Sequence, residues 1–80
     1  MKARVHISLK SGVLDPQGKA IESALDHLGF DGVSDVRQGK LITFDIEADS
    51  AEAAQARVGE MCEKLLANTV IENYAIDVED

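Results

Sequence analysis

From Ala3 to Lys10 the chain alternates without a break: Ala3, Val5, Ile7 and Leu9 are apolar, while Arg4, His6, Ser8 and Lys10 are polar. A helix would scatter such a pattern around its whole circumference, whereas a strand sorts it onto two faces. The segment therefore specifies a half-buried strand, and with it a sheet that has one covered and one open face. The period then changes. Asp15-Pro16 is a helix start, because Asp15 can accept from an orphan N–H as N-cap and Pro16 fits the first helical position, where no donor is needed. Ala20, Ile21, Ala24, Leu25 and Leu28 follow at the 3, 4 spacing of one helix face. Gly29 suits the left-handed residue after the helix, with Phe30 placed to fold back on the last turn.

The second half repeats this grammar. Val33 to Gln38 reads as a second strand, Gly39 as a tight turn, and Leu41 to Glu47 as a third strand with Ile42, Phe44 and Ile46 inward. The short connection predicts an antiparallel hairpin. Asp49 and Glu52 stand at capping-box spacing ahead of a second helix. That helix carries Ala54, Val58, Met61, Cys62 and Leu65 on its apolar side and has Asn68 as C-cap. Tyr74, Ile76 and Val78 alternate in a last strand. The predicted order, β-α-β-β-α-β, is the ferredoxin-like split βαβ arrangement of the α+β class, with four antiparallel strands and both helices on one face. One domain over residues 1–80 is expected. Arg4, His6, Ser8, Leu41, Thr43 and Asp45 are left on the open face.

With 80 residues the chain buries a thin core, and small domains of this kind commonly gain stability by oligomerising. The formal charge is −7, and the eight basic residues are dispersed, with Phe30, Phe44 and Tyr74 the only aromatics. A nucleic-acid surface needs a concentrated basic face, so that role is excluded. Cys62 is the single cysteine, which rules out an intrachain disulfide. No apolar run approaches a membrane span, and the N-terminus runs directly into the first strand, so a cytoplasmic protein with no membrane partner is expected.

The chain carries no set of reactive residues that its pattern brings together. His6 falls on the open sheet face and His27 near a helix end, on different elements, and both read as solvated. Cys62 lies in an apolar stripe and reads as a small hydrophobe. The carboxylates of helix two and the tail read as solvated charge. A Cys-x-x-Cys metal motif, a phosphate cradle with a placed arginine and a dinucleotide fingerprint are all missing from the sequence. No metal or cofactor site is expected. One position is unexplained by such reasoning: Gly18 sits inside the first helical turn, where glycine costs about 0.5–1 kcal/mol relative to alanine. Either a frayed end tolerates it or another backbone or ligand approaches closely there.

Four stretches in order carry a family resemblance. They are Leu9-Lys10-Ser11-Gly12-Val13-Leu14-Asp15-Pro16-Gln17-Gly18, Leu28-Gly29-Phe30, Val36-Arg37-Gln38-Gly39-Lys40 and Met61-Cys62-Glu63-Lys64-Leu65-Leu66-Ala67-Asn68. Together they resemble the PurS family over nearly the whole length, with Thr69 in place of the family's proline after Asn68. The resemblance implies a non-catalytic assembly subunit of phosphoribosylformylglycinamidine synthase in purine synthesis. Such a subunit is a homodimer or higher and bridges a glutaminase (PurQ) and an ATP-dependent synthetase (PurL). It binds no cofactor itself, while the complex uses ATP, magnesium and glutamine. It further implies two contact loops, one of Lys10, Gly12, Asp15, Pro16, Gln17 and Gly18 and one of Arg37, Gly39 and Lys40, on the same or opposite ends of the sheet. The competing reading is a small-molecule regulatory module of the ACT kind, with an effector pocket near Gly12.

Overall fold

A computed structural model describes residues 1–80. Strand β1 (Lys2–Leu9) is followed by helix α1 (Pro16–His27), strand β2 (Gly39–Asp45), helix α2 (Ala51–Met61), a π-helical turn (Cys62–Leu66) and strand β3 (Glu72–Glu79). The sheet is antiparallel with the order β2-β1-β3, so β1 is central. Its register sets Ala3 beside Phe44 and Val78, and Val5 beside Ile42 and Ile76. That aligns the three alternating patterns on one face, as the period of 2 requires. Ala3, Val5 and Ile7 of that face are buried together with Ile46, Ala54, Val58, Cys62 and Ala67. Arg4, His6, Leu41 and Thr43 lie on the opposite face. There Arg4 bonds Glu79 at 2.8 Å and Lys2 meets Asp45 at 3.1 Å.

The sheet has three strands, not the four expected. Val33–Gln38 is irregular, and the hairpin predicted to follow it does not form. Two causes act on that segment. Asp35 takes a left-handed conformation (φ 55°), which no strand accommodates. The donors that a ladder would use are also taken by carboxylates before and within α1: Val36 N–H donates to Glu22 Oε1 at 3.1 Å and Gln38 N–H to Asp15 Oδ2 at 2.7 Å.

The helices also depart from the expected layer. Only α2 covers the sheet; α1 makes almost no contact with the strands or with α2. Of its stripe, Ile21 is 41% and Leu28 72% exposed. The molecule is accordingly elongated, 50 × 26 × 15 Å with a Cα radius of gyration of 15.9 Å, against ~12 Å for a compact chain of this length. At the start of α2 the cap is Ser50, whose Oγ accepts from Ala53 N–H at 3.1 Å, one residue beyond the predicted Asp49. At its end the π turn rotates the chain, so Leu66 packs against the core while Leu65, expected inward, is 83% exposed. Asn68 builds the following turn, accepting from Val70 N–H through its side chain and from Ile71 and Glu72 N–H through its carbonyl.

Candidate functional site

The two loops singled out in the sequence meet at one end of the sheet, which the sequence alone left undecided. After β1 the chain turns at Lys10, where Val13 N–H returns to the Lys10 carbonyl at 3.1 Å and Gly12 supplies φ 88°. Asp15 follows, buried, and does more than cap α1. Its Oδ1 accepts from Gly18 N–H at 2.9 Å and its Oδ2 from Gln38 N–H at 2.7 Å, so one carboxylate ties the first loop to the second. Arg37 Nε stands 3.9 Å from the same Oδ2, and an Arg37 guanidinium N–H donates to the Lys10 carbonyl at 3.3 Å. The Gln38 and Gly18 amides, with the Arg37 charge, hold the Asp15 carboxyl below the usual carboxylate range, so it is ionised at neutral pH.

Gly18 is explained by the same knot. A Cβ there would lie 2.3 Å from the Val36 carbonyl oxygen and 2.9 Å from Asp15 Oδ2. Close approach of another backbone is the reason for the residue, and the backbone is the chain's own. Gly39 is equally confined, since its Cβ would come within 2.6 Å of the Ile7 carbonyl oxygen.

Between the loops lies an open cleft of about 420 Å³. Asp15, Pro16 and Gln17 form one wall and Gln38, Gly39 and Lys40 the other, with Glu72 at the end of β3. Lys40 Nζ pairs with Glu72 Oε2 at 3.4 Å. The Asn68 amide and Lys40 draw the Glu72 carboxyl below its usual range. Lys10 and Gly12 are outside this cleft: Lys10 borders a recess with Glu63 and Tyr74, and Gly12 one with Asp35 and Arg37. Gln38 and Glu72 were not singled out in the sequence. Gln38 contributes through its backbone amide, which side-chain reasoning overlooks, and Glu72 reaches Lys40 only through the pairing of both β2 and β3 with β1.

The remaining reactive side chains stand apart. His27 Nδ1 lies 2.8 Å from the Ser23 carbonyl at the exposed end of α1, and His6 is on the open sheet face. Cys62 is fully buried, and burial with the nearby Glu63 pushes its thiol up. Tyr74 O–H donates to Glu63 at 2.8 Å, joining β3 to the π-helical turn.

Fold and site together define a small α+β interaction module: a sheet with one open face, an extended helical arm, and a polar cleft whose charges are tied to one another. Residues 2–80 match the family model of PurS, phosphoribosylformylglycinamidine (FGAM) synthase, and the chain belongs to that family. The PurS subunit of Bacillus subtilis is 49% identical over 79 residues, spanning 99% of this chain and 93% of that one. The crystal structure of Methanocaldococcus jannaschii PurS, a subunit of formylglycinamide ribonucleotide amidotransferase, superposes with a TM-score of 0.89 at 49% identity, covering 98% of this chain and 94% of that one. A chain in the structure of PurLQS from Thermotoga maritima superposes at 0.87 with 36% identity, covering 95% of this chain and 93% of that one.

Proposed function

We propose that this chain is the non-catalytic assembly subunit of a phosphoribosylformylglycinamidine synthase, a homodimer or higher that bridges the glutaminase and the ATP-dependent synthetase and supports ammonia transfer between them. The observation that carries the reading is the near full-length likeness to a chain within the PurLQS structure. The chain acts as one unit over residues 1–80, in the cytoplasm; no helix is long and apolar enough to cross a membrane. ATP, magnesium and glutamine belong to its partners.

The contact surface in this reading is the end of the sheet where loops 10–18 and 37–40 converge. Asp15 holds that surface in one shape before any partner arrives, which lowers the ordering cost of association. Arg37 and Lys40 are about one-third and two-thirds exposed despite their ion pairs. Both can exchange an internal carboxylate for one on the synthetase, the planar fork of arginine suiting a bidentate contact.

The test is reconstitution of glutaminase and synthetase with and without this chain, following glutamine-dependent amidine formation and the size of the mixture. A joint particle and activity that both require the chain support the reading. Full activity of the two large subunits alone, with this chain eluting separately, rejects it.

A further inference from the structure

The face of the sheet that carries the core is covered over only part of its length. Register places Lys40 beside Ile7 and Glu72 beside Leu9, so all four side chains belong to that face, at the end where the two loops converge. Helix α2 packs against β3, and α1, which makes almost no contact with the strands, leaves this end open. Lys40 and Glu72 stand on the two outer strands, with β1 and two interstrand spacings, about 10 Å, between them. Their charged ends still meet, Nζ to Oε2 at 3.4 Å, so the pair arches over β1 along one side of the cleft. The two charges are held unequally. The Glu72 side chain is 11% exposed and its Oε1 accepts from Asn68 N–H at 2.6 Å, which fixes the carboxylate whatever cation it meets. Lys40 is exposed and has no partner but Glu72, and an exposed pair of this kind contributes little, so the lysine can turn outward. Asp15, the other carboxylate of the cleft, is spent on the Gly18 and Gln38 amides and on Arg37. The side-chain amides of Gln17 and Gln38 are exposed and bonded to no other group of the chain.

We infer that this cleft binds a free α-amino acid, its ammonium on Glu72 and its carboxylate on Lys40, with the side-chain amides of Gln17 and Gln38 completing the polar contacts. Charge balance selects the ligand. A simple anion drawn to Lys40 would strip Glu72 of its cation, and a simple cation drawn to Glu72 would leave Lys40 without its carboxylate. A zwitterion replaces one ion pair by two and leaves no charge unmet, which matters most for the carboxylate that is nearly buried. The volume of about 420 Å³ is that of a small-ligand cleft. Apart from Pro16, only Ile7 and Leu9 of its lining are apolar, and Ile7 is buried. A small or polar side chain is therefore favoured over an aromatic one, which would find little apolar surface to cover. Occupation has a consequence for regulation. A Lys40 held by the ligand carboxylate is not free to meet a carboxylate on the synthetase, so the amino acid opposes docking through that residue. This consequence rests on the function proposed above; the binding itself does not.

The test is an NMR titration of the nitrogen-15-labelled chain at neutral pH and fixed ionic strength. The probes are glycine, L-serine and L-phenylalanine, with acetate and methylammonium as the two separate halves of the zwitterion. Glycine and serine are expected to give saturable shifts at the backbone amides of Lys40, Asn68 and Glu72, with a dissociation constant of about 1 mM or below. Phenylalanine and each half-ligand should bind at least about tenfold more weakly. Lys40→Gln and Glu72→Gln should each weaken serine binding about tenfold or more, the loss expected for a hydrogen bond between charged groups. Glutamine at position 72 keeps an acceptor for Asn68 N–H, and Lys40→Gln alters only an exposed side chain, so its result does not depend on Glu72→Gln folding. Lys10→Gln removes a lysine outside the cleft and should leave the affinity unchanged. Shifts that do not saturate by about 50 mM serine would overturn the inference. So would equal shifts from acetate or methylammonium alone, or a Lys40→Gln protein that binds serine as the parent does. The reconstitution assay separates the two proposals: amidine formation that needs this chain, from a chain that binds no amino acid, sinks the cleft alone. Saturable serine binding by a chain that never joins the complex sinks the assembly role alone.

Discussion

Replacing Gly18 with alanine sets two effects of opposite sign against each other. Inside a helix the change ordinarily stabilises by about 0.5–1 kcal/mol, because glycine loses more backbone freedom on folding. Here the new methyl would lie 2.3 Å from the Val36 carbonyl oxygen and 3.0 Å from Asp15 Cγ. Normal contact requires the 36–38 segment to retreat by roughly 1 Å, on the usual carbon–oxygen contact distances. The obstacle is backbone, which has no rotamer to escape into, and overpacking of this kind costs about 1–3 kcal/mol. The net expectation is a loss of about 1–2 kcal/mol, or a melting temperature lower by about 5–15 °C for a chain of this size. Urea unfolding followed by circular dichroism measures it, at one fixed protein concentration so that self-association does not shift the comparison. An alanine variant as stable as the parent, or more so, would show that helix propensity prevails and that the loops are not locked as described.

The same knot predicts how the loop responds to charge and pH. Asp15→Asn cannot accept from Gly18 and Gln38 through both side-chain atoms at once, so hydrogen exchange at the Gln38 amide should accelerate about tenfold or more, read by NMR. Asp15 and Glu72 both have carboxyls lowered by backbone amides. Their contribution to stability is complete above the unfolded values of about 3.9 and 4.3 and is lost as pH falls through the lower folded ones. Urea midpoints measured from pH 7 down to pH 2 should therefore decline below about pH 4, and less steeply in Asp15→Asn. Cys62, buried with a raised pKa, should react with a thiol reagent only as fast as the protein unfolds. Replacing Arg37 and Lys40 together by glutamine, which removes both charges without setting a carboxylate against Asp15 or Glu72, should weaken incorporation into the reconstituted complex while leaving the far-ultraviolet spectrum unchanged.

Where sequence reading succeeded, the information was local. Asp15 as N-cap and Pro16 at the first helical position depend on neighbours within four residues, and both stand where expected. The alternation of β1 and β3 also survived intact, because a one-residue slip would turn every apolar side chain to the wrong face. The lost strand depended on distant events. Val33–Gln38 has acceptable strand composition, yet Glu22 and Asp15 reach it across 14 and 23 residues and take two of its amides. No pattern within the segment reports that competition. Gly18 was the one available clue: a glycine out of place in a helix marked where a second backbone crosses, without naming it.

The apolar stripes fail in a more instructive way. On α2 the stripe was read correctly as far as Cys62, and the error at Leu65 follows from a change of period, since a π turn adds a residue and hands the inward position to Leu66. On α1 the period is regular and the helix forms, yet Leu28 is exposed and the sheet lies elsewhere. A periodic stripe fixes which side of a helix favours burial; it does not say which surface will bury it. An 80-residue chain that leaves Leu28, Phe30 and Leu41 more than half exposed and stretches to 50 Å is under-covered by its own residues. That is the physical condition of a subunit whose packing is finished by other polypeptides, and it agrees with the chain's membership of the PurS family and its likeness to a chain in the structure of PurLQS from Thermotoga maritima.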